Sequence, residues 1–253
     1  MSLKRINLNS DLGESFGAWK MGHDAELLQI VDSANIACGF HAGDPTVMQD
    51  TVRQAMVHGV GIGAHPSYPD LQGFGRRVMQ MSDRDLEALL IYQVGALQAM
   101  AAAEGGRVSH VKPHGALNNV ACVDEGVART VVNAVRKLDP SLPVLAPARS
   151  ALARAAEAIQ QPVRYEVFAD RAYLDDGQLM PRAQPGAVLH DAAQCVSHVL
   201  RMLEAQAIVT ASGLPLPCRI DSICVHGDGP EAVQTARLIR QTLQDQGYSL
   251  GPL

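Results

Sequence analysis

The 253-residue chain has no surplus of positive charge: 21 Lys and Arg stand against 26 Asp and Glu, a formal net charge of −5. Its basic residues are scattered, so no segment offers the cation run that neutralises a phosphate backbone, and nucleic acid is not an expected partner. Cysteine is sparse. Cys38, Cys122, Cys195, Cys218 and Cys224 are odd in number and without C-x-x-C spacing, which argues against a disulfide framework or structural zinc and favours a reducing cytoplasm. No window holds roughly 18 uncharged apolar residues, and MSLKRINLNSD lacks the apolar segment of an export signal, so neither a membrane span nor secretion is expected. Missing too is G-x-x-x-x-G-K-S/T: GVGIGAH at 59–65 has the glycines but no following lysine, which excludes a Walker-type nucleotide site. Aromatic residues are only 4% of a chain that is 47% hydrophobic, so the core must be built from Ala, Val, Leu and Ile, as in a helix-rich α/β protein.

What is present is a regular alternation of short apolar runs with longer stretches of helical period. The runs predict strands at 5–9, 34–38, 60–64, 108–112, 143–146, 163–168 and 220–226. Helices are expected near 23–32, 45–58, 82–104, 124–138, 149–160, 190–206 and 229–246. Ser82 and Asp44-Pro45 read as helix starts, and Gly59, Gly105 and Gly247 as stops. Residues 207–219 read as a hairpin around Ser212-Gly213 and 170–187 as a long polar loop. Seven βα units with no linker or repeat predict one domain over 1–253, a distorted seven-stranded (β/α) barrel, with an open doubly wound sheet as the alternative. Both architectures gather ligand-binding residues after the carboxyl ends of the strands.

The polar residues fall at those ends. Asn7, Asn9 and Asp11 alternate with Leu8 and Ser10, so they share one side of an extended chain, and an inward Asp11 needs a cation, a histidine or a metal beside it. Glu14 follows. His41 sits between Gly39 and Gly43, just before a helix start where Asp44 also reads as a simple cap. His65 and Asp70 lie on a loop stiffened by Pro66 and Pro69, with Arg76 beside two glycines as an anion clamp and Arg77 equally readable as a solvated arginine. Lys112 ends an apolar strand beside His114, where a charge is costly unless used. Glu166, Asp170 and Arg171 follow the sixth strand, His226 and Asp228 the seventh. Four strands thus end in a histidine-bearing loop. His23, His58, His190, His198 and His110 are assigned to surface or packing roles.

These blocks, NLNSDLGESFG, ANIACGFHAGDP, GAHPSYPDLQGFGRR, VKPHGALNN, EVFADRAYLDDGQLMPR and ICVHGDG, span residues 7–229, and through them the chain resembles the LamB/YcsF family. Asn118 stands where that family's pattern has tyrosine. The resemblance implies a subunit of ATP-dependent 5-oxoprolinase, which opens 5-oxo-L-proline to L-glutamate with two companion subunits, B and C, on a seven-stranded barrel similar to that of glycoside hydrolases and carbohydrate deacetylases. It carries over Asn9, Asp11, Glu14, His41, His65, Asp70, Arg76, Lys112, His114, Glu166, Asp170, Arg171, Arg182, His226 and Asp228 as motif positions, and ATP, with Mg2+, as cosubstrate. Because a lactam carbonyl is resonance-stabilised, phosphorylating its oxygen is the natural use of ATP. Lys112 with Arg76 or Arg171 is then expected to neutralise phosphate, and Asp11 with His41 or His114 to activate water. Asn9, Glu14, Asp70, Glu166, Asp170, Arg182, His226 and Asp228 are expected to bind substrate or ATP. Two rivals remain open: a metal-dependent deacetylase or hydrolase, with Asp11 and two of the four loop histidines as ligands, and a noncatalytic scaffold.

Overall fold

The chain forms a closed barrel of seven parallel strands in a computed structural model that describes residues 4–227 and 231–253. Around the barrel run β1 (Lys4–Leu12), β2 (Ser33–Ala37), β3 (Gly61–His65), β4 (Val108–Val111), β5 (Val144–Pro147), β6 (Val163–Phe168) and β9 (Ser222–Cys224), with β9 pairing back onto β1. Every expected strand is present within a few residues of its expected bounds. Between β6 and β9 the expected hairpin appears as an antiparallel pair, β7 (Ala207–Val209) and β8 (Pro215–Pro217). A last strand, β10 (Tyr248–Leu250), lies parallel to the start of β1 and was not anticipated. Three residues give too little periodicity to read.

Helices α2 (Pro45–His58), α3 (Asp83–Ala103), α5 (Glu125–Leu138), α6 (Ala151–Ala158), α7 (Ala192–Ala205) and α8 (Ala232–Asp245) sheathe the barrel. Asp44 accepts from the amides of Thr46 and Val47 to start α2, Ser82 accepts from Asp85 to start α3, and Gly59 ends α2 at φ +66°. Two expectations fail locally. The helix expected at 23–32 shrinks to α1 (Asp24–Leu27), and the loop after β4 is instead helix α4 (Gly115–Val123). Gly115, Asn118 and Asn119 are poor helix formers, so α4 is held by tertiary burial of Ala116, Leu117 and Ala121 rather than by propensity. By length and composition α3 could cross a bilayer, but Leu86, Leu90, Val94 and Leu97 are buried and the helix packs on α5.

Strand register explains what lies inside the barrel. Asp11 on β1 is level with Asn35, Asn35 with Gly63, and Gly63 with His110. On β1, Leu8 and Leu12 belong to the hydrophobic core, whereas Asn7, Asn9 and Asp11 face the interior, as their alternation predicted. Burying each leucine contributes about 1.5–3 kcal/mol, which fixes the face of β1 and with it the direction of the three polar residues.

Candidate active site

The barrel interior is polar near the strands' carboxyl ends. Lys112 Nζ is the hub: it lies 2.9 Å from Asp11 Oδ1, 3.1 Å from Glu166 Oε1, 3.3 Å from Asn9 Oδ1 and 3.2 Å from Cys224 Sγ. Asn9 donates to Glu166 Oε1 and to Ser222 Oγ, and Asn35 donates to both Asn9 and Asp11. Burial opposes charge on Lys112, but Asp11, Cys224 and Glu166 together outweigh it and hold the ammonium well above its usual range. For Asp11 burial is likewise outweighed, by His65 and Lys112, and the carboxylate stays well below its ordinary value. Glu166 shares the same ammonium, yet burial raises it, and its Oε2 has no hydrogen-bond partner among the described residues.

Beside this hub sits an imidazole cluster. His65 Nδ1 donates to the Lys112 carbonyl at 2.7 Å, while its Nε2 lies 3.3 Å from Asp11 Oδ2 and 2.9 Å from His114 Nδ1. His114 Nε2 donates to the Phe74 carbonyl at 2.9 Å, and its Nδ1 is 3.4 Å from Glu14 Oε1. His41 stacks on His114 with ring centroids 3.8 Å apart, and its Nε2 is 3.1 Å from Glu14 Oε1. Burial keeps His41 and His114 neutral, far below the usual imidazole range. Gly75 makes the stack possible: at φ +62°, a Cβ there would come within 2.8 Å of the His41 Cβ and 2.9 Å of the His114 ring.

Across the floor His226 Nδ1 lies 2.8 Å from both Asp170 oxygens, and its Nε2 is 3.2 Å from an Arg182 guanidinium nitrogen. Burial pulls His226 down, but Asp170 outweighs it and raises the imidazole; in return His226 more than offsets the burial of Asp170, whose carboxyl is lowered. A cavity of about 460 Å³ opens above these groups, within the range of small-ligand sites. Asp11, Glu14, His65, Lys112, His114 and His226 line it, with Arg76, Arg171 and Arg182.

Several expected ligand contacts lie elsewhere. Asn9 and Glu166 are beneath the cavity, spent on Lys112 and on each other; Lys112 is engaged on four sides and is not a spare cation for phosphate. His41 is behind His114 rather than in the lining. Asp70 is also outside it: Arg77 and the amide of Gly73 occupy the carboxylate, and Arg77 first, with Gly73, lowers it to about 2. Asp70 therefore shapes the loop that carries Phe74 and Arg76. Asp228 lies outside the described residues.

Two participants escaped the sequence reading. His110, assigned to packing, is fully buried; its Nε2 is 2.7 Å from Asn35 Oδ1, and burial pushes it down to about 3, so it acts as a neutral donor positioning Asn35 under Asp11. The available signal was Gly63, level with His110 and bare because a Cβ would lie 2.1 Å from its Nε2. The second is the segment 177–181 of the polar loop, which lines the cavity and whose Met180 carbonyl accepts from Arg171 at 2.6 Å. His198 is indeed packed, against Tyr173, while His23, His58 and His190 are exposed.

A closed seven-stranded (β/α) barrel with a histidine- and carboxylate-floored cavity at its carboxyl end defines the class: an α/β-barrel protein whose ligand cavity lies at the ends of its strands. The catalytic domain of a peptidoglycan N-acetylglucosamine deacetylase from Eubacterium rectale superposes with a TM-score of 0.53 at 13% identity, covering 100% of this chain and 89% of that one, which shows the fold alone. The LamB/YcsF family model matches residues 6–253, and the chain belongs to that family. It is 60% identical over 248 residues, 98% of this chain and 97% of the relative, to a protein from Azoarcus sp. (strain BH72) named as the A subunit of 5-oxoprolinase. It is 42% identical, with a TM-score of 0.92 and 98% and 99% of the two chains covered, to a lactam utilization protein from Thermus thermophilus whose crystal structure is known.

Proposed function

We propose that this chain is the A subunit of a cytoplasmic, ATP-dependent 5-oxoprolinase, opening 5-oxo-L-proline to L-glutamate together with two companion subunits. The names of relatives at 60% and 42% identity support the substrate, and one observation carries the chemistry: a cavity with a carboxylate and a carboxylate-backed imidazole on its floor and three arginines around it. Hydrolysis breaks the ring C–N bond. The oxygen of water ends in the new γ-carboxylate, and the ring nitrogen gains protons to become the α-amine.

Arg76, Arg171 and Arg182 suit the substrate carboxylate and the phosphate oxygens of ATP, since guanidinium forks pair bidentately with both. When bound, ATP would supply a phosphoryl group to the lactam oxygen and leave as ADP, weakening the amide resonance; once the C–N bond has broken, a second water would release that phosphoryl group as inorganic phosphate. His226 takes the proton from water: Asp170 holds its Nδ1–H and raises its basicity, and Nε2, to which Arg182 donates at 3.2 Å, becomes available to water when Arg182 turns to a bound anion. Asp11, whose charge Lys112 maintains, lies within 4.8 Å of His226 and orients the same water. The imidazole expected at His41 or His114 on sequence grounds thus moves to His226, with Asp11 kept beside it. The test is glutamate release from 5-oxoproline with ATP, with and without the companion subunits, for wild type and for Asp11→Asn. Wild-type turnover only in the complete mixture, and its loss in a folded Asp11→Asn, is the expected result; silence of the complete wild-type mixture would refute the proposal.

A further inference from the structure

Ring opening needs a proton that His226 and Asp11 do not supply. When the C–N bond breaks, its electron pair stays on nitrogen, and an amide nitrogen departs poorly unless a proton reaches it as the bond opens. His65 and His114 also line the cavity. A backbone carbonyl only accepts, so the 2.7 Å contact of His65 Nδ1 with the Lys112 carbonyl fixes a proton on His65 Nδ1. The 2.9 Å contact of His114 Nε2 with the Phe74 carbonyl likewise fixes a proton on His114 Nε2. The two remaining nitrogens, His65 Nε2 and His114 Nδ1, face each other at 2.9 Å, a hydrogen-bond separation that a pair of bare lone pairs does not hold. One further proton therefore lies between them, and the pair carries a single positive charge.

His114 is the accepting partner. Burial first, then His41 and His65, hold it neutral, so the charge rests on His65, which donates from both of its nitrogens. Two carboxylates compensate that charge: Asp11 Oδ2 lies 3.3 Å from His65 Nε2, and Glu14 Oε1 lies 3.4 Å from His114 Nδ1. Glu14 also accepts from His41 Nε2 at 3.1 Å, so it acts on the pair through its charge alone. His41 lies flat against His114, the rings 8° from parallel, and its in-plane nitrogens point past the pair rather than at it. The hydrogen bonds of the cluster thus close with protons.

We propose that the His65–His114 pair stores one proton and that His65 Nε2 delivers it to the ring nitrogen as the lactam C–N bond breaks. This role rests on the 5-oxoprolinase reading and supplies its general acid. The oxygen of water bonds to the carbonyl carbon, and the proton of that water goes to His226. The C–N electron pair moves onto nitrogen and takes the proton of His65 Nε2, and the neutral amine so formed takes its last proton from solvent. His65 is left neutral. The proton held by His226 returns to it through Asp11, which is 3.3 Å from His65 Nε2 and within 4.8 Å of His226. Base and acid are then separate imidazoles on either side of one carboxylate, and His114 positions the acid by accepting from it.

The test has two parts. The isolated full-length chain, its histidines labelled with the heavy nitrogen isotope, is read by NMR at about pH 7 without substrate or nucleotide, the ring signals being assigned through the backbone. Three protonated nitrogens among the four of His65 and His114 are expected, and two neutral rings overturn the stored proton. The reconstituted complex is then assayed on 5-oxoproline and on its ring-oxygen analogue, 5-oxotetrahydrofuran-2-carboxylate, whose oxygen leaves without prior protonation. His65→Gln should lower kcat on the lactam by about 10²–10⁴-fold with little change in KM, and on the lactone by less than about tenfold. A merely structural role would lower both alike. Equal losses on the two rings, a raised KM in place of the lowered kcat, or an unchanged kcat on the lactam overturns the acid role. The split between kcat and KM decides should wild type reject the lactone, and the wild-type spectrum decides should His65→Gln not fold. A wild-type complex silent on 5-oxoproline faults the 5-oxoprolinase reading and the acid role with it, whereas the spectrum judges the stored proton separately.

Discussion

Lys112→Met removes the one ammonium that Asp11 and Glu166 share, keeps the length of the apolar stem, and leaves two carboxylates inside the barrel. Breaking a buried ion pair by deleting one partner typically costs about 3–5 kcal/mol. For a domain of this size each kcal/mol shifts the melting temperature by about 2–4 °C, so the variant should melt roughly 6–20 °C below wild type at neutral pH. The pH dependence is the sharper test. In wild type Lys112 is raised above its unfolded value, so its contribution is complete below that value and is lost only in strong alkali. Asp11 is depressed, so its contribution is present above about pH 4 and is lost as pH falls through the lower folded value. Without the ammonium Glu166, already raised by burial, loses the charge that holds it down, while Asp11 keeps only His65, and an acid raised in the folded state destabilises above its unfolded value. The gap between variant and wild type, read by thermal circular dichroism, should therefore narrow between about pH 7.5 and about pH 5. Adding Asp11→Asn and Glu166→Gln should restore much of the loss, because orphaned charge rather than lost packing causes it. A melting temperature within about 2 °C of wild type, a gap independent of pH, or additive losses in the triple variant would refute the reasoning.

Asp170→Asn should lower kcat of the reconstituted complex by about 10²–10⁴-fold with little change in KM, because it removes the support of His226 and not an anion contact. Activity that depends on neutral His226 should fall as pH drops through an imidazole value above the ordinary one, and in Asp170→Asn that acid limb should move to lower pH; a stationary limb in the pH–rate profile would count against the dyad. Arg76→Ala should raise KM for 5-oxoproline or ATP by about 10–150-fold, the equivalent of one charge-assisted hydrogen bond of about 1.5–3 kcal/mol, measured by steady-state kinetics. His110→Leu should cost about 1–3 kcal/mol in urea unfolding because Asn35 Oδ1 loses its donor, whereas exposed His58→Ala should be close to silent.

The alternation of Asn7, Asn9 and Asp11 with Leu8 and Ser10, the seven apolar runs and the caps at Asp44 and Ser82 are local signals, so the sequence alone determined seven βα units with histidine-bearing strand ends, while closure into a barrel rather than an open sheet was decided by the pairing of β9 with β1. Helix α4 was illegible because its residues are weak helix formers held by burial. Which polar groups meet was decided by the tertiary structure. Register across β1, β2, β3 and β4 places Asp11, Asn35, Gly63 and His110 at one level, though 99 positions separate the first from the last. Lys112 was legible as a costly charge, but only the closed barrel brings Asp11, Glu166 and Cys224 to its ammonium from three other strands or strand ends. The same holds for Asp70, a loop acid in the sequence and an Arg77 partner in space. Local chain preferences extend a few residues, whereas charge pairing and hydrogen-bond direction depend on neighbours that barrel closure alone assembles.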